Sequence, residues 1–516
     1  MLKAGIITLV GSDNCGSLLQ TYALQTYLEQ NFNCNVEVVN YKDNVTKRTY
    51  GILAPAIIMR PIQLFRTLQH YKRLKKQQLD YTLFRKKEIH LTSKEYHTLQ
   101  ELQAEKWDYD ILISGSDQVW NWPESYVDET YFLDWGNNHV RRIAYAPSTG
   151  GSINPEDSLL KWVDGDAAVL KKIRQHLAEF QMISVREESG QEYLTRLLGK
   201  EIPLVADPTL MLDRKSWYDL VTDAIVKGDY IFYYSYGYKN DKLNVLVQQA
   251  AERLGLPVYV INASLWNHKS NKKLGFKIHH AGGPYAYLSL MRYAKYVFAE
   301  SFHGCIFAFI FQRNFWFLNN FSDGRMEARI HSLLTYLQLE ERVLHEKNMN
   351  HTVLETPIDY SVSFAKLDEL CVQSRRYLES AMTTDKAVDF TKDSLEYQIS
   401  QQVQWDKMTP EQIKKSFENV KTQACQLMND ITDTAFEQYF HVSKRDMANL
   451  SPKDFLERIT KNQAFQQQLE YNRLTGKLGY LGHLIFRSKQ KFKEGGIKSV
   501  WKSFLTKYKW WFHIGY

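Results

Sequence analysis

Short apolar segments alternate with helical segments from Ala4 onward, and this alternation constrains the fold more than any other feature of the sequence. An apolar run over Ala4–Val10 is followed by a polar turn, a helical segment and a second apolar run over Val36–Val39. This order predicts a strand, a helix and a second, parallel strand. The same pattern predicts further buried strands at Asp110–Ile113, Ile143–Tyr145, Met182–Val185 and Leu204–Ala206. We therefore expect an α/β fold with a doubly wound parallel sheet.

A second series of apolar segments begins at Tyr230. It predicts a strand there, helices over Lys242–Leu254 and Tyr285–Ala294, strands within 257–263 and 296–301, and a last, very apolar helix. A chain of 516 residues exceeds the roughly 250 to 300 residues at which single hydrophobic cores stop growing. We predict two Rossmann-like domains, 1–215 and 216–383, that face each other across a cleft in a GT-B-like layout, with the boundary near residues 213–228. Ligands of such sheets bind outside the carboxyl ends of the strands.

Two further regions depart from this alternation. Residues 52–100 form a predicted insert, and 384–516 form a predicted helical extension that is mostly polar. The insert carries eight Lys or Arg between Arg66 and Lys87, with few acidic residues. Two interpretations fit this basic stretch: a solvated helix that covers the edge of the cleft, or a lid or acceptor-binding helix.

Cations and aromatic residues are interleaved in the last 46 residues, 471–516. Ten Lys or Arg face one acidic residue there, Glu494, so this tail accounts for the formal net charge of +7 and the rest of the chain is close to neutral. That distribution argues against nucleic acid as a partner of the whole protein. The composition is typical of peripheral contact with a membrane interface, and a helix pair packed on the catalytic domains is the alternative interpretation.

The cysteines and the first residues bear on the cellular compartment. Five scattered cysteines include no CxxC pair, which predicts a reducing compartment and no zinc or other metal site. The opening segment lacks the features of a secretory signal, and no apolar run reaches the roughly 18 residues needed to span a bilayer. We expect a cytoplasmic protein, which the tail could bring to the inner face of the cell membrane.

Polar residues follow the predicted strands of the first domain. Ser116, Asp117 and Gln118 come after the strand at residues 110–113; the serine can donate to an anion, and the other two can bind sugar hydroxyls. An Asx-type turn is the alternative for Asp117. Ser148, at the end of the next strand, fits a ligand contact and a turn equally well.

Two more charged residues follow later strands of this domain. Arg186 offers a planar fork of donors that matches a carboxylate or a phosphate, and a surface salt bridge with Glu187 or Glu188 is the alternative. Asp207 precedes Pro208, where a turn at the end of a strand is at least as well supported as catalysis.

The sharpest feature is the polar group Glu300, Ser301, His303 and Gly304, which stands between an apolar strand and an apolar helix. The free N–H groups and the positive dipole end of that helix favour an anion. His303 beside them suits proton transfer near neutral pH. We therefore expect His303 at the centre of a functional site.

Seven strings in this order resemble the polysaccharide pyruvyl transferase family: DNCGSLLQTYALQ, ISGSDQVWN, IAYAPSTG, ISVREESG, ADPTLML, GGPYAYL and ESFHG. The resemblance covers about residues 1–383 and implies a GT-B-like enzyme. It implies transfer of a pyruvyl group from phosphoenolpyruvate to sugar hydroxyls of a surface polysaccharide or its lipid-linked precursor, giving a pyruvate ketal and phosphate. Phosphoenolpyruvate would be a co-substrate, and no further cofactor is expected.

The resemblance also implies roles for the residues. His303 and Asp117 would be catalytic, with His303 as general acid or base. The donor would contact Arg186, Ser301, Gly304, Glu300 and Arg329. The acceptor would contact Asn14, Gly16, Ser116, Gln118 and Ser148.

One position departs from the family pattern, which often reads Arg-Leu-His-Gly where this chain has Ser301, Phe302, His303 and Gly304. The missing arginine implies that Arg325, Arg329 or another cation replaces it, or that the donor differs. Two alternative functions remain: a GT-B glycosyltransferase that uses a nucleotide sugar, and a non-catalytic glycan-binding or scaffold protein.

Overall fold

The computed structural model describes residues 1–43, 52, 61–121, 128–136, 140–150, 167–235, 238, 240–261, 273–320 and 326–383. These ranges contain two separate parallel β-sheets, which confirms the predicted α/β fold. The predicted extension over 384–516, with its basic aromatic tail, lies outside the described residues, and so does Arg325.

The first sheet has the strand order β2-β1-β3-β4-β5, with every neighbouring pair parallel. Its strands are β1 Leu2–Ile7, β2 Cys34–Val38, β3 Ile111–Ser114, β4 Arg141–Ala144 and β5 Met182–Ile183. The helices of this half are α1 Cys15–Asn31, α2 Pro61–Gln69, α3 Tyr71–Glu88, α4 Leu99–Gln103, α5 Ala167–Ala178 and α6 Glu188–Leu198, with a 3-10 helix over Glu129–Phe132. All four residues of β3 are buried, as expected for a central parallel strand covered on both faces.

The second sheet has the order β11-β10-β9-β6-β7-β8 and is also parallel throughout. Its strands are β6 Ile231–Tyr234, β7 Val258–Val260, β8 Lys277–Ile278, β9 Tyr296–Ala299, β10 Asn314–Leu318 and β11 Val343–Leu344. The remaining helices are α7 Pro208–Met211, α8 Arg214–Leu220, α9 Asp241–Leu254, α10 Gly283–Tyr293, α11 Phe302–Ile310, α12 Ala328–Tyr336 and α13 Ser361–Ala381, with a 3-10 helix over Glu340–Arg342. Strands β8, β10 and β11 were not among those predicted.

The predicted strand at Leu204–Ala206 is wrong. This stretch makes a single parallel bridge, between Val185 and Leu204. Pro203 and Pro208 stand on either side of it, and proline cannot donate to a β-ladder. The stretch still lies beside the end of β5, which places Asp207 next to the first sheet's carboxyl edge.

An apolar core connects the two halves of the described chain. Trp217 of α8 is fully buried, and its ring lies 5.8 Å from Tyr22 of α1 and 4.9 Å from Phe307 of α11. Helix α13 returns to the first sheet, where the Tyr377 hydroxyl donates to the Ala144 carbonyl at 2.8 Å. The sheets are therefore held together by shared packing, while the predicted domain limits stay predictions.

Helix α3 of the insert contacts both halves. Arg85 donates to the Val10 carbonyl at 2.9 Å on the first side. On the second side Arg73 donates to the Ile278 and His279 carbonyls at 2.6 and 2.9 Å, and Asp80 accepts from the Gly282 N–H at 2.9 Å. This helix therefore lies across the junction of the two halves, as both interpretations of the insert require. None of the helices in the described ranges is long and apolar enough to cross a bilayer.

Candidate functional site

Three charged residues at the carboxyl edge of the first sheet converge on one buried point. Arg186 donates through Nη1 to Asp207 Oδ2 at 2.6 Å and through Nη2 to Asp117 Oδ1 at 3.0 Å. The side chain of Arg186 is fully buried. Arg186 therefore does form a salt bridge, the alternative predicted for it. The bridge is buried rather than on the surface, and its main acidic partners are Asp117 and Asp207.

Glu187 adds a third carboxylate to this point. Its Oε1 accepts from the Thr149 N–H at 2.8 Å and from the Thr149 hydroxyl at 3.2 Å, and its Oε2 lies 3.8 Å from Arg186 Nε. Neither that Oε2 nor that Nε has a hydrogen-bond partner among the described residues. The site therefore retains an unsatisfied acceptor and donor side by side.

His303, in the first turn of α11, reaches the same point from the second half. Its Nε2 lies 3.6 Å from Asp207 Oδ2 and has no hydrogen-bond partner in the described part of the chain. Its carbonyl accepts from the Tyr287 hydroxyl at 3.0 Å. We refer to Asp117, Arg186, Glu187, Asp207 and His303 as the buried charge cluster.

Gly16 makes room for the imidazole. A Cβ atom built on Gly16 would lie 2.3 Å from His303 Nδ1, which no real contact permits. The glycine predicted for acceptor binding therefore lets the first turn of α1 approach the His303 ring.

The charges of the cluster shift one another's pKa values. Burial opposes ionisation of Asp117 and Asp207, but His303 and Arg186 outweigh it and hold the pKa of each carboxyl below its usual range. The two aspartates in turn overcome the effect of burial on Arg186 and raise the pKa of its guanidinium. Burial dominates at Glu187 and raises the pKa of that carboxyl. The two aspartates are therefore anions at neutral pH.

Helix α1 supplies a contact that the sequence analysis missed. The Ser17 hydroxyl donates to Asp117 Oδ2 at 2.6 Å, so both oxygens of Asp117 have partners. Asn14 caps the helix by accepting from the Ser17 N–H at 3.2 Å, which positions Ser17 one turn from the N-terminus. Asn14 thus serves the site through the helix it caps.

The other predicted acceptor residues lie at the ends of β3 and β4. Ser116 is buried and donates to the Ala146 carbonyl at 2.9 Å, with its hydroxyl 3.5 Å from Arg186 Nη1. Ser148 accepts from the Gly150 N–H at 3.1 Å, which is turn chemistry. Gln118 is half-buried and accepts from Asn121 at 2.7 Å. Ser116 therefore contacts the cluster at Arg186, and Ser148 contacts it through its backbone N–H, which donates to the Asp117 carbonyl at 2.7 Å.

The predicted donor residues surround the start of α11. Ser301 is its N-cap and accepts from the Gly304 N–H at 3.0 Å. The guanidinium carbons of Arg186 and Arg329 lie 4.6 and 5.8 Å from the centre of the Phe302 ring, and Arg329 is ion-paired with Glu327. A cation other than Arg186 is therefore present at this helix end.

Glu300 faces a different set of partners. It accepts from the Tyr233 hydroxyl, whose oxygen also lies 3.0 Å from Asn244 Oδ1. Burial raises the pKa of the Glu300 carboxyl, although its hydrogen bonds with Tyr233 and Ser235 act in the opposite direction. These contacts stabilise the carboxyl ends of β6 and β9 beside the site.

Sequence reasoning left Asp207, Ser17 and Glu187 out of the predicted site. The sequence does indicate Asp207, an acidic residue directly after an apolar run, but a turn at the end of a strand explained it at least as well as a catalytic role. Ser17 and Glu187 carried no such signal, since their role depends on which strand ends come together in space. Within the described residues, no group of three or more His, Cys, Asp or Glu could hold a metal ion.

Gly16→Ala tests the contact between α1 and His303. The added methyl must displace the imidazole, and we expect unfolding to become easier by about 1–3 kcal/mol. In a His303→Ala background the clash is gone, and the same change should be neutral or stabilising by up to about 1 kcal/mol, because alanine favours a helix over glycine. Urea unfolding of the four proteins measures this coupling. Equal costs of Gly16→Ala in both backgrounds would contradict the contact.

Asp207→Asn tests the charge of the cluster through pH. The pKa of Asp207 is lower in the folded than in the unfolded chain, so its stabilising effect is complete above the unfolded pKa of about 4 and is lost as pH falls through the folded pKa. We expect the difference in unfolding free energy between wild type and Asp207→Asn to be largest at pH 6–7 and to narrow below pH of about 4. Urea unfolding across this range measures it.

Asp213→Asn is the matched control, since Asp213 also caps a short helix, α8, but is exposed and bonds only with Ser216. The pKa of Asp213 is also lowered, by its hydrogen bonds with Ser216, but the residue is exposed, so Asp213→Asn should change stability and its pH dependence much less than Asp207→Asn does. A difference for Asp207→Asn that stays constant from pH 7 to pH 3 would argue against an ionised Asp207 in the folded protein.

A family model described as polysaccharide pyruvyl transferase matches residues 14–323, more than half of the chain. This range contains every member of the buried charge cluster. No curated protein matches the sequence.

Several solved structures are similar to this chain, with low sequence identities and low TM-scores. UDP-GlcNAc 2-epimerase from Methanocaldococcus jannaschii is 10% identical, with 78% of this chain and 99% of that chain covered and a TM-score of 0.36. The S. aureus MnaA-UDP structure is 11% identical, with 76% and 100% covered and a TM-score of 0.40. The E. coli heptosyltransferase WaaC with ADP-2-deoxy-2-fluoro heptose is 12% identical, with 73% and 99% covered and a TM-score of 0.31. The family assignment depends on the family model and not on these structures.

Proposed function

Because the chain belongs to the polysaccharide pyruvyl transferase family, and is thus a transferase, we propose that it moves a pyruvyl group from phosphoenolpyruvate to sugar hydroxyls. The acceptor would be a cell-surface polysaccharide or its lipid-linked precursor, and the products a pyruvate ketal and phosphate. The observation that carries the proposal is the convergence of the buried charge cluster within the matched range. No cofactor besides the co-substrate is part of it.

The acceptor hydroxyls belong on the carboxylate side of the cluster. Asp117 and Asp207 together contribute two negative charges there, and Arg186 contributes one positive charge. A carboxylate attracts the hydrogen of a sugar hydroxyl and repels an anionic donor. Asp117 is the carboxylate we assign to hydroxyl binding, because Asp207 already lies beside His303, 3.6 Å from its Nε2.

The anionic donor belongs on the other side, at the start of α11. The helix N-terminus favours an anion through its free N–H groups and dipole, and Arg329 supplies a positive charge near Phe302. Nη1 of Arg186 donates to Asp207 and Ser116, and Nη2 donates to Asp117, so a contact of Arg186 with the phosphoenolpyruvate would use Nε or the second N–H of Nη2. We therefore assign Arg186 first to positioning Asp117 and Asp207.

His303 stands between these two sides and is the proton-transfer group of the proposal. Protonation of C3 of phosphoenolpyruvate makes C2 electrophilic, and the first sugar hydroxyl adds to C2 as it loses its proton. The second hydroxyl then replaces phosphate at C2 and gives its proton to the departing group. His303 can give the first proton and take the next, with Asp207 stabilising its charged form.

Serine at position 301 has a local structural reason in this chain. Its hydroxyl caps α11, and an arginine there would lose that cap, which is typically worth about 1 kcal/mol. Among the described residues, we assign to Arg329, near Phe302, the anion contact that the arginine of other members would make. Support for the donor therefore comes from α11 and Arg329 together.

The test is incubation of the protein with phosphoenolpyruvate and candidate lipid-linked or nucleotide-linked sugars. We expect release of inorganic phosphate together with a mass gain of the sugar that matches a pyruvate ketal. Release of UDP or GDP from a nucleotide sugar, without phosphate, would identify a glycosyltransferase instead. Glycan binding without turnover of either donor would identify a binding protein.

The proposed location is the cytoplasm, at the inner face of the cell membrane if the acceptor is lipid-linked. The basic aromatic tail over 471–516 is a proposed membrane contact that lies outside the described residues. Unchanged liposome binding after deletion of 471–516 would remove the tail from this proposal.

A further inference from the structure

The outer face of α2 and α3 exposes large apolar side chains. Five of the eleven exposed large hydrophobic residues in the described ranges lie between residues 65 and 83, and these five include every exposed Phe and Leu. Phe65, Leu68, Leu79 and Leu83 are 62%, 54%, 55% and 56% exposed. Phe65 and Leu68 are three residues apart in α2, and Leu79 and Leu83 are four apart in α3, so each pair lies on one face of its helix. Such clustering marks an interaction surface more often than single exposed residues do.

The inner face of α3, the side that packs on the two halves of the chain, is held by hydrogen bonds. These bonds fix which side of the helix faces outward. Arg73, Gln77, Asp80 and Arg85 bond to backbone groups of the two halves, and Phe84 is fully buried. The helix therefore cannot rotate to bury its leucines without losing these bonds.

Lysines accompany the exposed apolar residues. Lys72, Lys75, Lys76 and Lys86 are exposed, and they stand one helical turn apart from each other or from the leucines. The two acidic residues of α3 are engaged on the inner side: Asp80 accepts from Gly282 N–H, and Glu88 accepts from the Tyr285 hydroxyl. The outer face thus combines positive charge with apolar side chains, and it carries no acidic residue.

We propose that this outer face docks on the surface of an anionic membrane. A helix with lysines and large apolar residues on one side lies in the plane of the interface, with the apolar groups among the headgroups and the ammonium groups at the phosphates. A second copy of the chain does not fit through the same face, because four lysines would meet four lysines. This surface is distinct from the tail, and the inference does not depend on the reaction.

The test uses the full-length protein and sedimentation with vesicles of phosphatidylcholine, with and without phosphatidylglycerol. Wild type should bind the anionic vesicles, and added salt should weaken the binding. Lys72→Gln/Lys75→Gln/Lys76→Gln should bind them on the order of 100-fold more weakly, given the contribution of each lysine near an anionic surface. Leu79→Gln/Leu83→Gln should also lose binding, whereas Leu79→Met/Leu83→Met should keep it.

Val372→Gln is the matched control, because Val372 is an exposed apolar residue on another helix, α13; it should bind as wild type does. Circular dichroism of each variant should match wild type, since none of the changed side chains is buried. Wild-type binding by the lysine and leucine variants would overturn the proposal and assign any membrane contact to the tail. Failure of wild type to bind anionic vesicles would overturn it as well.

Discussion

Arg186→Met should lower the free energy of unfolding by about 3–5 kcal/mol, the cost of breaking a buried ion pair from one side. The change leaves the carboxylates of Asp117 and Asp207 buried without the cation that holds their pKa values down. Methionine is similar in length, so packing against Phe302 is largely retained and the loss reports on charge. Urea unfolding at pH 7 measures the effect.

Arg342→Met is the matched control for this prediction. Arg342 is also buried, but it bonds mainly to the backbone carbonyls of Thr356 and Pro357 and to the exposed Glu341. Its loss strands no buried carboxylate and should cost clearly less. The triple variant Arg186→Met/Asp117→Asn/Asp207→Asn should recover part of the stability, because it removes the unpaired charges. Equal costs for Arg186→Met and Arg342→Met would contradict the buried charge cluster as an electrostatic unit.

The sequence predicts the scaffold well because the strands are decided locally. The apolar runs at β1, β3 and β9 are continuous because both faces of a covered parallel strand are buried. The polar residues that follow these runs mark the edge of the sheet. The strand predicted at Leu204–Ala206 does not form, because the prolines on either side of it oppose β-pairing more strongly than a short apolar run favours it. These prolines are visible in the sequence. Strand β10 went unrecognised although its sequence, NFWFL, is as apolar as the others.

The site was predicted as a set of strand ends but not as a set of contacts. His303, Asp117 and Arg186 were singled out, yet nothing local indicates that the arginine would be engaged by two aspartates. The same holds for Gly16, whose lack of a side chain matters only because His303 arrives from the other half of the chain. Such pairings arise from the packing of α1 against α7 and α10 and from the approach of His303 to Gly16, which no single segment encodes.

On the proposed function, His303→Gln should reduce kcat for pyruvyl transfer by about 10²- to 10⁴-fold, the usual contribution of a positioned general acid or base. Glutamine is polar and can fill the space beside Gly16, but it cannot exchange a proton. The unfolding free energy of His303→Gln should stay close to that of wild type, so a lower kcat would not be explained by unfolding. Phosphate release and ketal formation are the measurements, made with saturating phosphoenolpyruvate.

His176→Gln is the matched control, because His176 Nε2 also lies 3.6 Å from a carboxylate, that of Glu129, and its ring stacks on Phe132 at 4.8 Å. It belongs to α5, outside the buried charge cluster, and its replacement should leave kcat unchanged. The two histidines have similar surroundings of ring and carboxylate, so burial beside an acid cannot by itself explain a difference between the variants. Wild-type turnover by His303→Gln would remove His303 from proton transfer and leave the carboxylates as the remaining candidates.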